Sequence, residues 1–501
     1  MSLTKSDIND LSEIIRKLYL EDSIPWVIGY SGGKDSTATL QLVWMALADL
    51  PLEKRQHKTV HVISTNTLVE SPIVAKWVDN SLVKMECQAE ADNLPIIPHR
   101  LTPDYNDTFW VNLLGRGYPY PRPTMRWCTD RLKIKPSNTF VQNVVSAYGE
   151  VILLLGTRKA ESAARAKTMR YYENLRVRDY LSPNGSIQNE LVFSPIENWT
   201  DDDVWFFLMQ YKNPWGHSNK DLMTMYRGAS ADNECPLVIS TETPSCGKSR
   251  FGCWVCTLVE QDKSMAAMIM NDSEKEWMSP LLNFRNFIGD INKDIERRDF
   301  RRMKGNVLMF RGHLVHGPYK KKVREAWLEK LLEIQKEINT NGPKEFCDLE
   351  LITLEELKRI RKIWMDEKHE FDDSLPGIFE KVMGIPFESH ISGQDSLFGK
   401  GEWELLSNIC QEKHPEEQLL FEMVAGIVDV EKTSVDRRKR YGILNAVEAQ
   451  IKRSFYKDEE DALAYASNRL QRKKEMGASF DQRAEAEESQ LNLLEIEEEE
   501  Q

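Results

Sequence analysis

Along the first two hundred positions, short apolar runs typical of strands alternate with segments in which apolar residues have helical spacing. Short apolar runs of strand length, "IPWVIGY", "HKTVHVIST", "LPIIPHRL" and "EVILLLGTR", are separated by segments with helical spacing, among them "DINDLSEIIRKLYL" and "TDDDVWFFLMQY". Thr200 or Asp201 is expected to cap the last of these helices. Apolar strands alternating with helices are typical of a parallel sheet covered on both faces. We therefore predict an α/β domain over residues 1–212.

The spacing changes after this domain. Residues 213–263 lack a regular period and carry a group of cysteines, so we predict loops there. From 264 to 480 the sequence is charged with helical spacing, which predicts a mainly helical region. Gly, Pro and Ser in residues 372–396 favour a linker inside it. The acidic stretch 481–501 is predicted to be a disordered tail.

Composition restricts the classes of function. The 501 residues carry a formal net charge of -13, which argues against overall attraction to nucleic acid or to an anionic membrane. No N-terminal run resembles a signal peptide, and no stretch is long and apolar enough to span a bilayer. We therefore expect a cytoplasmic protein with no membrane partner. Eight cysteines in such a chain favour thiol or metal chemistry over disulfides.

The stretch "VIGYSGGKDSTATL" predicts a phosphate-binding loop between a strand and a helix. It is not the common ATPase loop, because Ile28 stands where that loop needs glycine and Asp35 follows Lys34. Ligands of parallel sheets lie beyond the carboxyl ends of the strands, so we expect the ends of three strands to converge here. The residues expected to bind a nucleotide are Ser31, Gly32, Gly33, Lys34, Ser36, Thr37, Thr65 and Gly156.

Four cysteines lie close together in C-x₁₀-C-x₆-C-x₂-C spacing. They are Cys235, Cys246, Cys253 and Cys256. Zinc ribbons normally present two short knuckles, whereas only the last pair forms one here. A 4Fe–4S cluster needs four thiolates without that spacing, so a cluster is our first interpretation and zinc the second. A redox-active pair is a weaker alternative, because the pair does not follow a first βαβ strand.

Several motifs resemble known families. "SGGKDS" resembles the PP-loop of the ATP pyrophosphatases, while "RWCTDRLKIKP", "LGTRKAESAAR" and "SPIENWTDDDVWFFL" resemble segments of the phosphoadenylylsulfate reductase superfamily over about residues 20–215. The resemblance implies an adenine-nucleotide α-hydrolase-like fold that cleaves ATP, bound with Mg²⁺, between its α- and β-phosphates. Lys34 would neutralise charge on the leaving pyrophosphate, and Asp35 would bind Mg²⁺ or fix the loop.

A second resemblance concerns the cysteine-rich segment. "NPWGHSNKDLMTMYRGASADNECPLV" and "CGKSRFGCWVC" resemble the DndC family, the iron–sulfur sulfurtransferases of DNA phosphorothioate modification, over roughly residues 10–330. The resemblance implies that sulfur replaces a non-bridging oxygen of the DNA backbone. It also implies a cysteine desulfurase as sulfur donor and the other Dnd proteins as partners. A reductase of adenylylsulfate or phosphoadenylylsulfate, a tRNA thiolase and a non-catalytic DNA-binding scaffold remain alternatives.

Cys128 is the candidate for sulfur transfer. Four basic neighbours, Arg126, Arg131, Lys133 and Lys135, are expected to hold phosphates and to lower the pKa of its thiol. A buried cysteine that caps a helix is the alternative. Spacing separates Cys128 from the other four cysteines, so Cys128→Ser is expected to keep the iron.

The expected catalytic set contains Cys128, Lys34, Asp35, Arg126 and Arg158. The basic segments "TRKAESAARAKTMR" and "ERRDFRRMK" are candidates for contact with DNA phosphates.

Overall fold

A computed structural model of the chain describes residues 3–123, 125–185, 187–229, 252–387, 400–414, 417–434 and 442–475. The first half contains a six-stranded sheet in the order β3-β2-β1-β4-β6-β5. Five of its strands run parallel, and β5 pairs antiparallel with β6 at one edge. The strands are β1 Trp26–Gly29, β2 Val60–Thr65, β3 Ile96–Leu101, β4 Val151–Leu154, β5 Ser182–Pro183 and β6 Glu190–Phe193.

The predicted α/β fold with a mostly parallel sheet is confirmed, because the four apolar runs form β1 to β4. The strands β5 and β6 were not predicted. The run of β6, "ELVF", is only four residues long and begins with the buried acid Glu190, so its apolar signal is weak.

Nine helices accompany this sheet among the described residues. They are α1 Lys5–Glu21, α2 Lys34–Ala48, α3 Leu52–Arg55, α4 Pro72–Ala91, α5 Trp127–Thr129, α6 Lys135–Tyr148, α7 Ala163–Glu173, α8 Asp201–Gln210 and α9 Asn219–Gly228. Side chains alternate across the sheet, so Ile28 of β1 joins the core with α2, whereas Val27 belongs to a separate apolar cluster with Val141 and Val144 of α6. Both faces are therefore covered, as parallel sheets require.

The described residues of the C-terminal half are mainly helical and include a hairpin of β7 Met309–Phe310 and β8 His313–Leu314. Its helices are α10 Lys263–Asn271, α11 Ser279–Ile288, α12 Asp294–Arg297, α13 Lys321–Asn341, α14 Leu354–Lys362, α15 Ser374–Met383, α16 Lys400–Lys413, α17 Gln418–Ser434, α18 Ile443–Ser454 and α19 Glu459–Glu475. A second core joins this half to the first: Trp110 and Trp254 pack with Leu328 of α13 and Ile360 of α14.

Two predictions about loops are wrong in part. Helix α9 lies in the segment predicted to be loop, where Ser218 caps it through the N–H of Asp221. Helix α15 lies in the predicted linker, because the apolar spacing of Leu375, Phe379 and Val382 buries one helical face. Residues 388–396 of that linker and the acidic tail lie outside the described residues. Within the described parts of the chain, no helix has the length and apolarity needed to cross a membrane.

Candidate functional site

The loop between β1 and α2 has the geometry of an anion cradle. Gly32 has φ +73°, and a Cβ there would lie 2.5 Å from Cγ2 of Val78, so only glycine fits this turn. Gly33 precedes the first residue of α2. Within the described residues the backbone N–H groups of Gly32 and Gly33 donate no hydrogen bond. Two unused donors therefore lie at a helix N-terminus, as in known anion sites.

Lys34 belongs to a network of four charged side chains. Its Nζ lies 3.0 Å from a carboxylate oxygen of Asp35 and 3.0 Å from one of Asp201. Arg158 bridges the same two acids, with Nε 2.7 Å from Asp35 and Nη2 2.5 Å from Asp201. Burial alone would raise the pKa of Asp201, but Lys34 and Arg158 outweigh it and hold that pKa below its usual range.

Arg158 and Gly156 bring the end of β4 against the loop. Arg158 is almost completely buried, and it also donates to the carbonyl of Trp199 at 3.1 Å. Burial opposes its charge, yet the carboxylates of Asp35 and Asp201 outweigh that effect and raise the pKa of Arg158. A Cβ on Gly156 would lie 2.7 Å from the backbone oxygen of Asp35, so β4 reaches the loop only because this residue is glycine.

The remaining loop residues hold its shape. The Ser36 hydroxyl donates to the carbonyl of Gly33 at 3.1 Å and accepts from the N–H of Ser31 at 3.2 Å. Thr37 is buried, and its N–H donates to Gly33 at 3.0 Å. Thr65, at the end of β2, lies 3.2 Å from the Ser137 hydroxyl of α6. The structure thus brings the ends of β1 and β4 into direct contact.

Aromatic side chains cover the loop from α4 and α9. The N–H of Lys34 donates to the Tyr226 hydroxyl at 3.3 Å, and burial raises the pKa of that phenol. The Trp77 indole donates to the carbonyl of Gly32 at 3.3 Å and contacts the tilted ring of His217, with ring centroids 3.7 Å apart. Burial lowers the pKa of His217 to about 4, so its ring is neutral near pH 7.

Cys128 lies in the short helix α5, and the expectation of a lowered pKa is wrong. Burial, reinforced by the thiols of Cys253 and Cys256, raises the pKa of Cys128 to about 11. Two of the basic neighbours are engaged elsewhere, because Arg131 and Lys135 pair with Asp107 at 2.8 and 2.6 Å.

The third basic neighbour, Arg126, is exposed. Its Nε donates to the carbonyl of Pro123 at 3.3 Å. The fourth, Lys133, is also exposed, and its charge lowers the pKa of Cys128 only as a minor contribution.

The Cys253–Cys256 segment is attached to the loop that follows β2. Cys253 forms an isolated antiparallel bridge with Glu70, and the N–H of Trp254 donates to the carbonyl of Val69 at 3.0 Å. The Thr67 hydroxyl lies 3.3 Å from Sγ of Cys253. This attachment brings Cys253 and Cys256 near Cys128, which is distant in sequence.

These three thiols form a set of soft donors, and burial also raises the pKa of Cys253. In the parts of the chain that the structure describes, no group of three His, Cys, Asp or Glu side chains has the arrangement for a single metal ion. A 4Fe–4S cluster differs from a single ion, since its four thiolates bind different irons. The donor chemistry therefore fits a cluster. Cys235 and Cys246, predicted as ligands, lie outside the described residues.

Arg285 fixes the backbone after the cysteine pair. This buried residue of α11 donates from Nε and Nη2 to the carbonyl of Cys256 at 2.9 and 2.7 Å, and from Nη1 to the carbonyl of Glu260 at 2.7 Å. Burial lowers the pKa of Arg285, and most of the groups that accept its hydrogen bonds are backbone carbonyl oxygens.

The two basic segments differ in exposure. Helix α7 buries no side chain, and Arg165, Lys167 and Arg170 on it are exposed. In the other segment Arg298 pairs with Asp294 at 3.2 Å, and Arg301 with Asp299 at 2.7 Å. Much of that second basic charge is therefore used inside the protein.

Sequence reasoning missed Asp201, Tyr226 and Arg285 as parts of the site. Asp201 was considered only as a helix cap, and Thr200 is the residue that caps α8, through the N–H of Asp203. The three consecutive acids after Thr200 were the available signal, because one helix N-terminus does not need three carboxylates.

Comparison with known proteins identifies the first half. A sequence model of the phosphoadenosine phosphosulfate reductase domain matches residues 25–217, which contain the loop, the charge network and Cys128. This stretch is therefore a phosphoadenosine phosphosulfate reductase-like domain. Two uncharacterized proteins of Methanocaldococcus jannaschii, MJ0066 and MJ0973, are 26% and 24% identical to the chain over 201 and 227 residues. These matches cover 40% and 45% of this chain but only 35% and 40% of the relatives.

Two solved structures resemble the chain weakly. The phosphoadenylyl-sulfate reductase of Candida auris, in complex with phosphate, is 13% identical with a TM-score of 0.26, covering 42% of this chain and 88% of its own. The U34-tRNA thiolase NcsA of Methanococcus maripaludis, with its 4Fe–4S cluster, is 14% identical with a TM-score of 0.28, covering 57% and 82%. Scores this low carry no argument about function.

Proposed function

We propose that the protein is an ATP-dependent sulfurtransferase that modifies DNA backbone phosphates. One observation carries the proposal: Lys34 and Arg158 converge with two carboxylates beside a Gly-Gly loop, and Cys253, with Cys128 and Cys256 near it, is attached to the loop after the neighbouring strand. The first arrangement suits the binding of a polyphosphate, and the second suits iron or sulfur. The reductase-like domain supplies the first arrangement and Cys128, whereas Cys253 and Cys256 follow that domain in the chain.

The chemistry follows from the poor leaving ability of a phosphodiester oxygen. That oxygen attacks the α-phosphorus of ATP, the bond to the β-phosphate breaks, and pyrophosphate leaves. The DNA phosphate is then joined to AMP in a mixed anhydride. A sulfur nucleophile at the oxidation level of sulfide attacks the DNA phosphorus and displaces AMP, leaving sulfur in place of a non-bridging oxygen.

Residues of the loop supply the binding of the leaving group. The N–H groups of Gly32 and Gly33 and the Lys34 ammonium would hold pyrophosphate, which stabilises the charge that develops on it. Asp35 and Asp201 carry the carboxylate oxygens that Mg²⁺ prefers, and Mg²⁺ would neutralise the phosphates. In the present structure Lys34 and Arg158 neutralise these acids, so Mg²⁺–ATP would replace contacts that already exist.

Cys128, Cys253 and Cys256 would hold a 4Fe–4S cluster, with the fourth ligand from Cys235 or Cys246. When bound, the cluster supplies iron and sulfide chemistry beside the nucleotide site. This assignment gives Cys128 a different role from the sulfur relay expected from its sequence, because Cys253 and Cys256 lie near it.

DNA as the substrate is supported by the exposed basic face of α7. Arg165, Lys167 and Arg170 project from a helix with no buried side chain, which leaves them available to backbone phosphates. A cysteine desulfurase as donor of persulfide sulfur, a thiol reductant that supplies the two electrons needed to bring that sulfur to the level of sulfide, and the other Dnd proteins as partners belong to this proposal.

Two measurements test the proposal. Anaerobically purified protein should convert ATP to AMP and pyrophosphate with Mg²⁺, and DNA from cells that express the complete system should yield phosphorothioate dinucleotides by mass spectrometry. ADP and inorganic phosphate as sole products would contradict the nucleotide chemistry. Modified tRNA with unmodified DNA would assign the same chemistry to a tRNA thiolase.

Reduction of phosphoadenylylsulfate is a second candidate, favoured by the family that residues 25–217 match. That reaction needs a nucleophilic cysteine, and the raised pKa of Cys128 does not favour one. Sulfite release from phosphoadenylylsulfate with a thiol reductant, without AMP formation from ATP, would select this candidate.

A further inference from the structure

A cavity lies where helix α4 meets the C-terminal half of the chain. Its volume of about 480 Å³ falls within the range of about 300–1,000 Å³ that small-molecule sites occupy. The walls come from α4, from the segment 272–277 and from residues 343–346. The last two segments follow residues 25–217, so the reductase-like domain supplies only one wall of this cavity.

Helix α4 presents one of its sides to the cavity. Ile73, Lys76, Trp77 and Asn80 line it, and their spacing of three and four residues places them on one face of the helix. Residues of another face, among them Val78, pack into the core of the sheet. The cavity therefore lies on a side of α4 that the sheet does not cover.

Aromatic rings supply much of the wall. Trp77 and Trp277 are both partly exposed, and the Trp277 ring packs against Phe346 with ring centroids 4.6 Å apart. Trp77 also joins the cavity to the phosphate-binding loop, because its indole donates to the carbonyl of Gly32 at 3.3 Å. A flat ligand in the cavity can therefore contact indole rings, one of which touches that loop.

Most charged side chains of the wall are paired with one another. Lys76 lies 3.0 Å from a carboxylate oxygen of Glu345, and Lys275 lies 3.2 Å from one of Asp272. With the exposed Glu274, the two lysines and three acids leave one net negative charge. This charge disfavours a phosphate group inside the cavity, and the aromatic wall suits an uncharged ligand.

Asn80 carries a polar group that can recognise such a ligand. Its side chain is exposed, lines the cavity and makes no hydrogen bond to any described residue. A carboxamide offers a donor and an acceptor side by side, and this pair matches the edge of a nucleobase, that of adenine above all. The indole N–H of Trp277 also has no acceptor within the described parts of the chain.

We propose that this cavity binds a nucleobase, which stacks on Trp77 or Trp277 and is recognised by the Asn80 carboxamide. Nucleobases are flat and uncharged and carry neighbouring donors and acceptors, which is the combination that these walls accommodate. The proposal rests on the proposed function for the source of the base, which is the adenine of ATP or a base of the DNA strand. Through Trp277 it gives the C-terminal half a part in nucleotide binding.

Equilibrium binding to the full chain tests this with two probes that carry bases, a non-hydrolysable ATP analogue and a short single-stranded oligonucleotide. Tripolyphosphate and an abasic oligonucleotide are the matching probes without bases. Trp277→Leu removes the flat ring but keeps an apolar side chain, so it should weaken the binding of at least one base-bearing probe about 5- to 100-fold. The matching probe without bases should bind as before, and Trp277→Phe should restore most of the affinity.

Asn80→Ala is the second variant, and it decides the outcome if Trp277→Leu fails to fold. It should weaken the binding of the same probe about 2- to 10-fold, through the loss of one hydrogen bond. Asn143→Ala is the matched control, because Asn143 is an exposed asparagine of α6 that does not line the cavity. The control should bind every probe like the wild type.

The pattern of losses identifies the source of the base. A loss with the ATP analogue alone assigns the cavity to adenine of ATP, and a loss with the oligonucleotide alone assigns it to a base of DNA. Unchanged affinities for both base-bearing probes in Trp277→Leu and Asn80→Ala would overturn the proposal, even in a protein that converts ATP to AMP. So would a wild-type protein that binds neither probe. Base-dependent losses without any AMP formation would instead reject the proposed function and retain the cavity as a base site.

Discussion

Replacing Asp201 by asparagine removes one of the two carboxylates that Lys34 and Arg158 share. The Lys34 Nζ at 3.0 Å and the Arg158 Nη2 at 2.5 Å then face a neutral oxygen instead of a charged one, while the Asp35 carboxylate remains. A hydrogen bond to a charged group is worth about 1.5–3 kcal/mol, but the asparagine oxygen still accepts and the Asp201 side chain is 31% exposed. We therefore expect a loss of about 2 kcal/mol in the free energy of unfolding.

Thermal unfolding of the full chain, followed by circular dichroism, measures this loss. For a unit of about 200 residues it corresponds to a decrease of about 4–8 °C in the unfolding temperature. Asp202→Asn is the matched control, because Asp202 is exposed in the same first turn of α8 and shares its helix-dipole effect. Equal unfolding temperatures for the two variants would refute the role given to Asp201.

The difference between wild type and Asp201→Asn should also depend on pH. The folded-state pKa of Asp201 is lowered, so its contribution is complete above the unfolded value of about 3.9 and is lost as the pH falls through the folded value. The two proteins should therefore differ in stability at pH 7 and converge in strongly acidic buffer. A difference that persists unchanged at pH 2 would show that the carboxylate charge is not its cause.

Three further outcomes are expected. Lys34→Ala should lose most of the rate of AMP formation, because it removes about 2–4 kcal/mol of transition-state stabilisation. An unchanged turnover would show that Lys34 does not belong to the site. Gly156→Ala should weaken ATP binding in equilibrium dialysis through the 2.7 Å clash with the loop, whereas Gly228→Ala, with open space around it, should not. Cys128→Ser should lower the iron content of anaerobic preparations, whereas the exposed control Cys347→Ser should not; retained iron would return Cys128 to the sulfur-relay hypothesis.

The sequence predicted those parts of the fold whose signals are local. The apolar runs of β1 to β4 and the glycines after β1 specify strands and a tight turn without help from distant residues. Convergence of strand ends is a property of every parallel sheet, so the proximity of Gly156 to the loop followed from topology. The three acids after Thr200 were a signal for the Asp201 contact, but topology does not identify Lys34 and Arg158 as its partners.

Cys128 illustrates the limit of local reasoning about charge. Four basic neighbours in the sequence suggested a thiolate, but Asp107 takes the charges of Arg131 and Lys135. Long-range packing also brings Cys253 close, and burial then exceeds the effect of the remaining neighbours. The pKa of a buried group is thus set by tertiary partners that no spacing in the sequence reveals.

The attachment of Cys253 to the loop after β2 has a thermodynamic consequence. That loop follows Thr65, the last residue of β2, at the carboxyl ends of the strands where the nucleotide is proposed to bind, and it reaches Glu70, which bridges Cys253. Occupancy at the thiols and occupancy at the nucleotide site should then be linked, and linkage is reciprocal. If iron loading tightens the binding of a non-hydrolysable ATP analogue by some factor, the analogue must raise the affinity for iron by the same factor, which competition with a chelator at equilibrium measures.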